Sequence, residues 1–312
     1  MKSGEIKIAI AMGTYKRPKM LREAIESLVH LEIPEAISVK FILADNDTEL
    51  SAKPILEDFS DKLPFESEYI SVFNSGVVPI RNRLIKICLD KELDYIAFID
   101  DDETADPSWL AELYSAVVEF KAHAVAGLVK YQLPADCEDW IRERDFYGLK
   151  YFKTGAKPFS ASTNNVIVSL AFIEKHNLHF DLRLNECGSS DTHFFTQVKK
   201  NGGKLFWTNE AVTYETVTAS RASEEWILQR AFKTGYTTHV RNEIRFGKLG
   251  AVIASMIHIP FFLLKWFFLS LKNGFVKKSS KVFNRRAYHI ARGAWHAILG
   301  RNFNAYHVIH GN

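Results

Sequence analysis

The run Tyr95-Ile96-Ala97-Phe98-Ile99, followed at once by Asp100-Asp101-Asp102-Glu103, constrains the fold more than any other feature of this chain. A short apolar run without alternation suits a strand covered on both faces. Four acids directly after it repel one another, so the arrangement is costly unless a cation holds them. In extended backbone, residues two apart point to the same side, which pairs Asp100 with Asp102. Hard oxygen ligands of this kind suit Mg²⁺ or Mn²⁺, often shared with a substrate's phosphates. The same residues also read as a solvated acidic loop, with Asp106 capping a helix that Pro107 opens.

Strand and helix signals alternate from residue 8 to residue 130. Ile8–Met12, Val39–Ala44, Tyr69–Phe73, Tyr95–Ile99 and Ala124–Val129 read as strands. Met20, Leu21, Ala24, Ile25 and Leu28 recur at helical spacing, as do Ile80, Leu84, Ile85 and Cys88, and Pro107 begins a helix through Phe120. This rhythm predicts an α/β fold with a mostly parallel, doubly wound sheet. Further on, 131–160 reads as a long loop with a short helix near Trp140. Asn165–Ser169, Leu205–Trp207 and Val212–Tyr214 are strand candidates, and Asp191–Lys200 and Glu224–Thr234 are helical.

In open α/β sheets, ligands bind beyond the carboxyl ends of the strands. Each strand end here carries polar residues: GTYKRP after the first, ADND after the second, SGVVPIRNR after the third. Asp45 or Asp47 could accept hydrogen bonds from a nucleobase or ribose, and Arg81 could grip a diphosphate. A turn residue and a surface helix charge are the plainer readings of Asp45 and Arg81. A further cluster, ECGSSDTHFF, places Asp191 at a helix start. It reads either as a helix cap or as a general base for a sugar hydroxyl. His193, beside an apolar helix face, reads as structural.

The formal net charge of +3 over 312 residues is too mild to imply nucleic acid as a partner. Three widely spaced cysteines lack metal-ligand spacing, and no secretory leader is apparent. Both point to a reducing, cytoplasmic setting. Residues 249–271, LGAVIASMIHIPFFLLKWFFLSL, are long enough to span a bilayer. Lys248, Ser255, His258, Lys265 and Lys272 nevertheless fall within one helical sector. That favours a helix lying at a membrane surface, kinked at Pro260, with the basic stretch from Lys272 to Arg301 against anionic headgroups. A soluble core helix or a subunit contact is the alternative.

Four segments, IAMGTYKRPKMLREAIESL, ILADNDTELSAKPILEDF, GVVPIRNRLI and DYIAFIDDDETADPSWLAELY, together resemble the inverting family 2 glycosyltransferases. The likeness runs from Ile8 to about Gly235. It is nearest the bacterial branch that builds exopolysaccharide and lipid-linked oligosaccharides, such as succinoglycan glycosyltransferases. The resemblance implies a nucleotide-diphospho-sugar transferase (GT-A) fold over 1–240, and the apolar and basic pattern beyond it predicts a helical membrane-associating extension over 241–312. It implies that Thr14, Tyr15 and Arg17 line the nucleotide pocket, that Asp45 reads the base with Asp47 close by, and that Arg81 contacts the nucleotide or diphosphate. Asp100 and Asp102 become a D-x-D motif, with Asp102 on Mg²⁺ or Mn²⁺ and Asp100, with Asp101, nearer the donor. Asp191 matches the catalytic base. Arg221, Trp226 and Arg230, on the later helix, approach the diphosphate or the acceptor.

The chain departs from the family pattern at Ser190, where Glu is common, and at Glu215, where many members place a metal-binding His. Glu215 is a plausible third ligand. Asn164, in SASTNN, is a candidate sugar contact. The expected chemistry is metal-dependent transfer from a nucleotide-sugar, most naturally a UDP-sugar, to a saccharide or polyprenyl-diphosphate-linked acceptor at the cytoplasmic membrane surface. A sugar-nucleotide pyrophosphorylase, or a non-catalytic membrane scaffold, is the rival reading.

Overall fold

The computed structural model describes residues 5–73, 76–148, 152–272 and 277–303, with the backbone alone at 272. In chain order the elements are β1 (Ile6–Thr14), α1 (Pro18–Val29), β2 (Ile37–Asp45), α2 (Lys53–Phe59), β3 (Glu66–Ser71), α3 (Val77–Asp90), β4 (Tyr95–Ile99) and β5 (Glu103–Ala105). They continue with α4 (Trp109–Phe120), β6 (Ala124–Gln132), α5 (Asp139–Arg142), β7 (Asn165–Ser169), α6 (Leu170–Lys175), α7 (Ser190–Lys200), β8 (Leu205–Thr216), α8 (Glu224–Lys272) and α9 (Lys278–Ile298).

The strands form one sheet in the order β3-β2-β1-β4-β7-β6-β8-β5. Pairing is parallel from β3 through β2 and β1 to β4, and again between β6 and β8. β7 runs antiparallel between β4 and β6, and β5 runs antiparallel on β8. The sheet is therefore mixed, with its parallel half carrying the strand ends singled out in the sequence. Each face carries its own core. One packs Ile8, Ile10 and Met12 against α1, α2 and α4, and the other packs Ala9 and Ala11 against α3, α6 and α7. Neighbouring residues of β1 thus face opposite cores, which is why a strand without alternation belongs at the centre of a doubly covered sheet.

Three local expectations change. The acidic run does not end in a loop, because Glu103–Ala105 pairs with Thr213–Glu215 as β5. The third strand, Glu66–Ser71, begins and ends earlier than its apolar residues suggest. Leu205–Trp207 and Val212–Tyr214 are one strand, β8, with a register shift opposite Ala126 and Leu128. The polar Asn209 and Glu210 in its middle bond to Phe152 and Thr154, which masks the strand pattern.

Helix α8 runs through residue 240, and its break comes at Gly247 (φ 74, ψ 173), whereas Pro260 sits inside the helix. Glycine reaches that left-handed φ at no steric cost, so the turn falls there and not at the proline. Beyond Gly247 the helix folds back on its first half, and His239 Nδ1 and Ser255 Oγ share a buried 2.8 Å hydrogen bond. α9 packs on both halves: Asn284 Nδ2 donates to Leu269 O at 3.1 Å, and Trp266 meets Tyr288. The expected polar stripe is therefore split. Ser255 is buried while Lys248, His258 and Lys265 are exposed, and the Lys272 side chain lies outside the described residues. Opposite the docked seam, Ile253, Ile257, Phe261, Leu264, Phe268 and Leu271 are exposed.

α8 and α9 approach closely enough to exclude a side chain. A Cβ on Gly293 would lie 2.0 Å from the Phe232 carbonyl oxygen. Gly293→Ala should force the helices apart and cost roughly 1–3 kcal/mol, as overpacking does. A lower midpoint in thermal unfolding checks this; an unchanged midpoint would mean that the contact is not close in solution.

Candidate active site

The parallel register builds the site. Ala11 lies beside Phe98, so continuing β1 and β4 by three residues brings Thr14 level with Asp101. Thr14 Oγ1 donates to Asp101 Oδ2 at 2.7 Å, and Arg17 Nη1 donates to Asp101 Oδ1 at 2.9 Å. The run is a turn and not extended backbone, since the Glu103 N–H donates to Asp100 O at 3.2 Å. Asp101 and Glu103 are buried, the Asp102 side chain is nearly as covered as Asp101, and Asp100 reaches the open side. Antiparallel pairing of Ile99 with Asn165 brings Asn164 alongside, where its Nδ2 donates to Glu103 Oε1 at 2.6 Å. Pairing of Glu103 with Glu215 on β5 and β8 adds a fifth carboxylate.

Three arginines answer these acids. Arg17 Nη1 also reaches Asp102 Oδ2 at 3.3 Å. Arg221 donates from Nη1 to Asp102 Oδ2 at 3.0 Å and from Nη2 to Glu215 Oε1. Its guanidinium lies over Trp226, which is stacked on Tyr147 and covered by Arg230 as well. Arg230 Nη2 donates to the Tyr147 carbonyl at 3.0 Å, so it braces the stack. Arg81 pairs with Asp100 at 3.8 Å and donates to Ser190 Oγ at 3.3 Å. Arg81 is not a surface charge: its side chain is largely covered and packs over Phe180.

Burial raises the carboxyl of Asp101, and the Asp102 charge adds to it, while Arg17 and Thr14 pull it back. Glu103 is pushed well above the usual carboxylate range by burial and by Glu215, Asp100 and Asp102. Its Oε2 is buried with no partner among the described residues. Glu215 is raised by burial, against the pull of Arg221.

Asp191 is the second residue of α7 and not its cap. Ser189 caps the helix in left-handed backbone (φ 64), and its Oγ bonds Thr237 Oγ1 of α8 at 3.1 Å. Asp191 Oδ1 accepts from the Thr192 N–H at 2.7 Å. Lys233 is lowered to about 8, chiefly by burial and also by the nearby Arg230, against the opposite pull of Asp191 and Cys187.

The nucleotide-side expectations are only partly met. The Asp45 carboxylate is fully buried and accepts from Asp47 N at 2.8 Å, Ala52 N at 3.0 Å and Tyr69 Oη at 2.8 Å. It therefore shapes the loop rather than facing a base. Asp47 keeps a buried Oδ2 without a hydrogen bond, and Lys16 Nζ lies 3.6 Å from its Oδ1. Tyr15 is exposed beside Lys16. Thr14 is likewise buried on an acid of the site, and the half-buried Asn164 holds Glu103.

Residues 9–177 match the family model described as glycosyl transferase family 2. The chain belongs to that family. It is 32% identical over 238 residues to the succinoglycan biosynthesis protein ExoM of Rhizobium meliloti, covering 76% of this chain and 75% of that protein. Two solved structures share the fold. The mannosyltransferase PcManGT of Pyrobaculum calidifontis, in complex with GDP-Man and Mn²⁺, has TM-score 0.63 at 12% identity, covering 96% and 89% of the two chains. S. aureus TarS 1-349, in complex with UDP-GlcNAc, has TM-score 0.55 at 14% identity, covering 98% and 95%. The protein is a glycosyltransferase with a GT-A-like fold, which sets aside the pyrophosphorylase reading.

No three His, Cys, Asp or Glu side chains form a ready metal cage among the described residues of this family 2 enzyme. The donor set still fits a hard dication. Asp100 offers oxygens on the open side, Asp102 lies beside it under Arg17 and Arg221, and five carboxylates face three arginines. Mg²⁺-type sites take only one or two protein carboxylates and complete their shell from phosphates and water. Sequence reasoning missed Glu103, Tyr69 and Lys16. Glu103 was legible as the fourth acid of the run, whereas Tyr69 and Lys16 carried no signal of their own.

A carboxyl held above its ordinary value adds stability below the unfolded value, and that stability is lost as pH rises through the folded one. Glu103→Gln mimics the protonated acid. Relative to the unaltered protein, the variant should therefore gain stability as pH rises from about 5 to about 8. Groups that do not interact with Glu103 cancel in that difference, and the loss of its repulsion on Glu215, Asp100 and Asp102 adds to the gain. Calorimetric midpoints that stay parallel across this range would show that Glu103 is ionised throughout.

Proposed function

We propose that this glycosyltransferase moves a sugar from a UDP-sugar to a hydroxyl of a saccharide carried on a polyprenyl diphosphate, in cell-surface polysaccharide synthesis. The observation that carries the reading is Arg81, which joins Asp100 at the end of β4 to Ser190 at the start of α7. Arg81 thereby ties the start of α7, which carries the base candidate Asp191, to the acidic rim. The likeness to the succinoglycan protein supports the polysaccharide context.

Arg81, with Arg17 and Arg221 behind it, offers guanidinium forks to a diphosphate, whose geometry they match. Asp47 and Lys16 bound the nucleoside end, and Tyr15 offers an exposed ring. Asp191, in the first turn of α7, takes the proton from the acceptor hydroxyl as its oxygen attacks the anomeric carbon. Displacement from the opposite face inverts the α-linked donor to a β-linked product. Asp102 and Asp100 would hold Mg²⁺ or Mn²⁺. The ion would supply Lewis-acid stabilisation of negative charge on the departing diphosphate. Buried Glu103 supports Asn164 under the sugar.

We further assign residues 1–240 to the chemistry and 241–312 to holding the enzyme on the cytoplasmic face of the membrane. The segment Glu224–Leu271 contains a stretch long and apolar enough to cross a bilayer by length and composition. The second half of α8 is instead docked along one seam, and its opposite face is apolar. That suits a helix half-sunk in the interface. Lys281, Arg285 and Arg292 on the exposed side of α9 add cations for anionic headgroups.

Asp191→Asn should reduce transfer by about 10²–10⁴, the range general-base catalysis supplies, with UDP affinity nearly unchanged. Turnover at the unaltered rate would remove Asp191 from this role. Screening nucleotide-sugars for metal-dependent hydrolysis identifies the donor. Replacing Phe261, Phe267 and Phe268 by Ser should release the protein from phosphatidylglycerol vesicles, because each buried Phe contributes about 1.5–3 kcal/mol. Undiminished co-sedimentation would place membrane contact elsewhere.

A further inference from the structure

Arg221 occupies an unusual position in this site. Its two terminal nitrogens bridge the side chains of Asp102 and Glu215, and among the described residues no other side chain joins that pair of acids. The guanidinium is largely covered, with its side chain 12% exposed, and it rests on the Trp226 ring at 5.2 Å. It sits on the short connection between β8 and α8, where the Arg221 N–H donates to Thr218 O at 2.9 Å. That connection is anchored at Tyr147, whose Oη donates to the Arg221 carbonyl at 3.1 Å. The head group therefore has a fixed root and a flat aromatic surface along which to slide.

We infer that Arg221 is a resident cation that exchanges with the divalent metal: it neutralises Asp102 and Glu215 while the donor is absent, and yields Asp102 when a metal–nucleotide complex arrives. The inference rests on the metal reading above and concerns the order and coupling of binding.

Charge compensation drives the exchange. Without Arg221, Asp102 and Glu215 would face each other beside Asp100 and the buried Glu103 with only Arg17 in reach of Asp102. A guanidinium and a dication cannot both occupy the narrow gap between the two acids. A metal arriving alone must displace Arg221 into a region that offers it no new anion. A metal arriving with a diphosphate brings that anion, and Arg221 can turn from carboxylate to phosphate without losing a charged partner. Metal and nucleotide should therefore bind with strong positive coupling, and the coupling should reside in one side chain. The Glu215–Arg221 pair also explains how a carboxylate is accommodated where relatives place a histidine: its charge is matched by an arginine in the ligand-free state.

The test is Mn²⁺ binding followed by electron paramagnetic resonance, with and without UDP, on the full chain. The unaltered protein should bind Mn²⁺ weakly alone and far more tightly with UDP. Arg221→Gln should bind Mn²⁺ alone at least about tenfold more tightly, since an adjacent positive charge is gone, and the gain from UDP should shrink by a similar factor. Arg221→Lys keeps the charge but not the fork. It should fall between the two, and it carries the test if the Gln variant does not fold. Affinity for Mn²⁺ alone that is unchanged or weaker in both variants would overturn the exchange while leaving the metal reading intact. Failure of the unaltered protein to bind Mn²⁺ even with UDP would remove the metal reading itself, and the exchange with it.

Discussion

Acidic side chains gathered at the end of a buried strand are tolerable only if cations answer them, and everything around this site follows from that requirement. Five carboxylates, on β5, β8 and the turn between β4 and β5, are met by Arg17 from the end of β1, Arg81 from α3 and Arg221 from the entry to α8. Each arginine comes from a different part of the chain, so the charge balance ties these elements together. Where the balance falls short, the carboxyl is pushed towards its neutral form, as at Glu103, one buried oxygen of which has no hydrogen-bond partner among the described residues. Breaking one partner of such a pair leaves a buried charge uncompensated, which costs far more than an exposed pair contributes.

The same network sets the division between support and chemistry. Thr14 bonds Asp101, and Asn164 bonds Glu103. Asp100 is the more open acid, with Arg81 and Asp102 largely covered beside it. These hydrogen bonds and ion pairs fix the groups that would meet a diphosphate before it arrives. At the nucleotide end the same logic applies in miniature: Asp45 is closed by three hydrogen bonds, and Asp47, also buried, lies beside Lys16.

The C-terminal helices solve a different problem. A long apolar segment attached to a soluble sheet must be covered, paired or given to lipid. Gly235 and Gly293 let α8 and α9 touch backbone to backbone, which buries one seam. The other face stays apolar and exposed, with basic residues of α9 beside it. Docking of the helix on α9 and on its own first half argues against a free transmembrane span, because spanning would require leaving those contacts.

What the sequence determined by itself was local and periodic. Apolar runs without alternation marked the central strands, and the four motifs marked the family. Only the tertiary structure decided how these residues are partnered. The acidic run bends as a turn, so Asp101 and Asp102 share Arg17 while Asp100 meets Arg81. Asp45 and Asp47 are both buried, yet Asp45 is bonded by Ala52 and Tyr69, because β3 brings Tyr69 alongside, whereas Asp47 faces Lys16. Glu103 and Glu215 become neighbours through antiparallel pairing of strands more than a hundred residues apart in sequence. Arg221 reaches them because α8 begins where β8 ends. The break at Gly247 instead of Pro260 has the same origin: a proline can sit within a helix whose neighbours hold it, whereas a left-handed φ lets the chain reverse. Periodicity is written in nearest neighbours along the chain, but partnership is set by which segments the fold brings together.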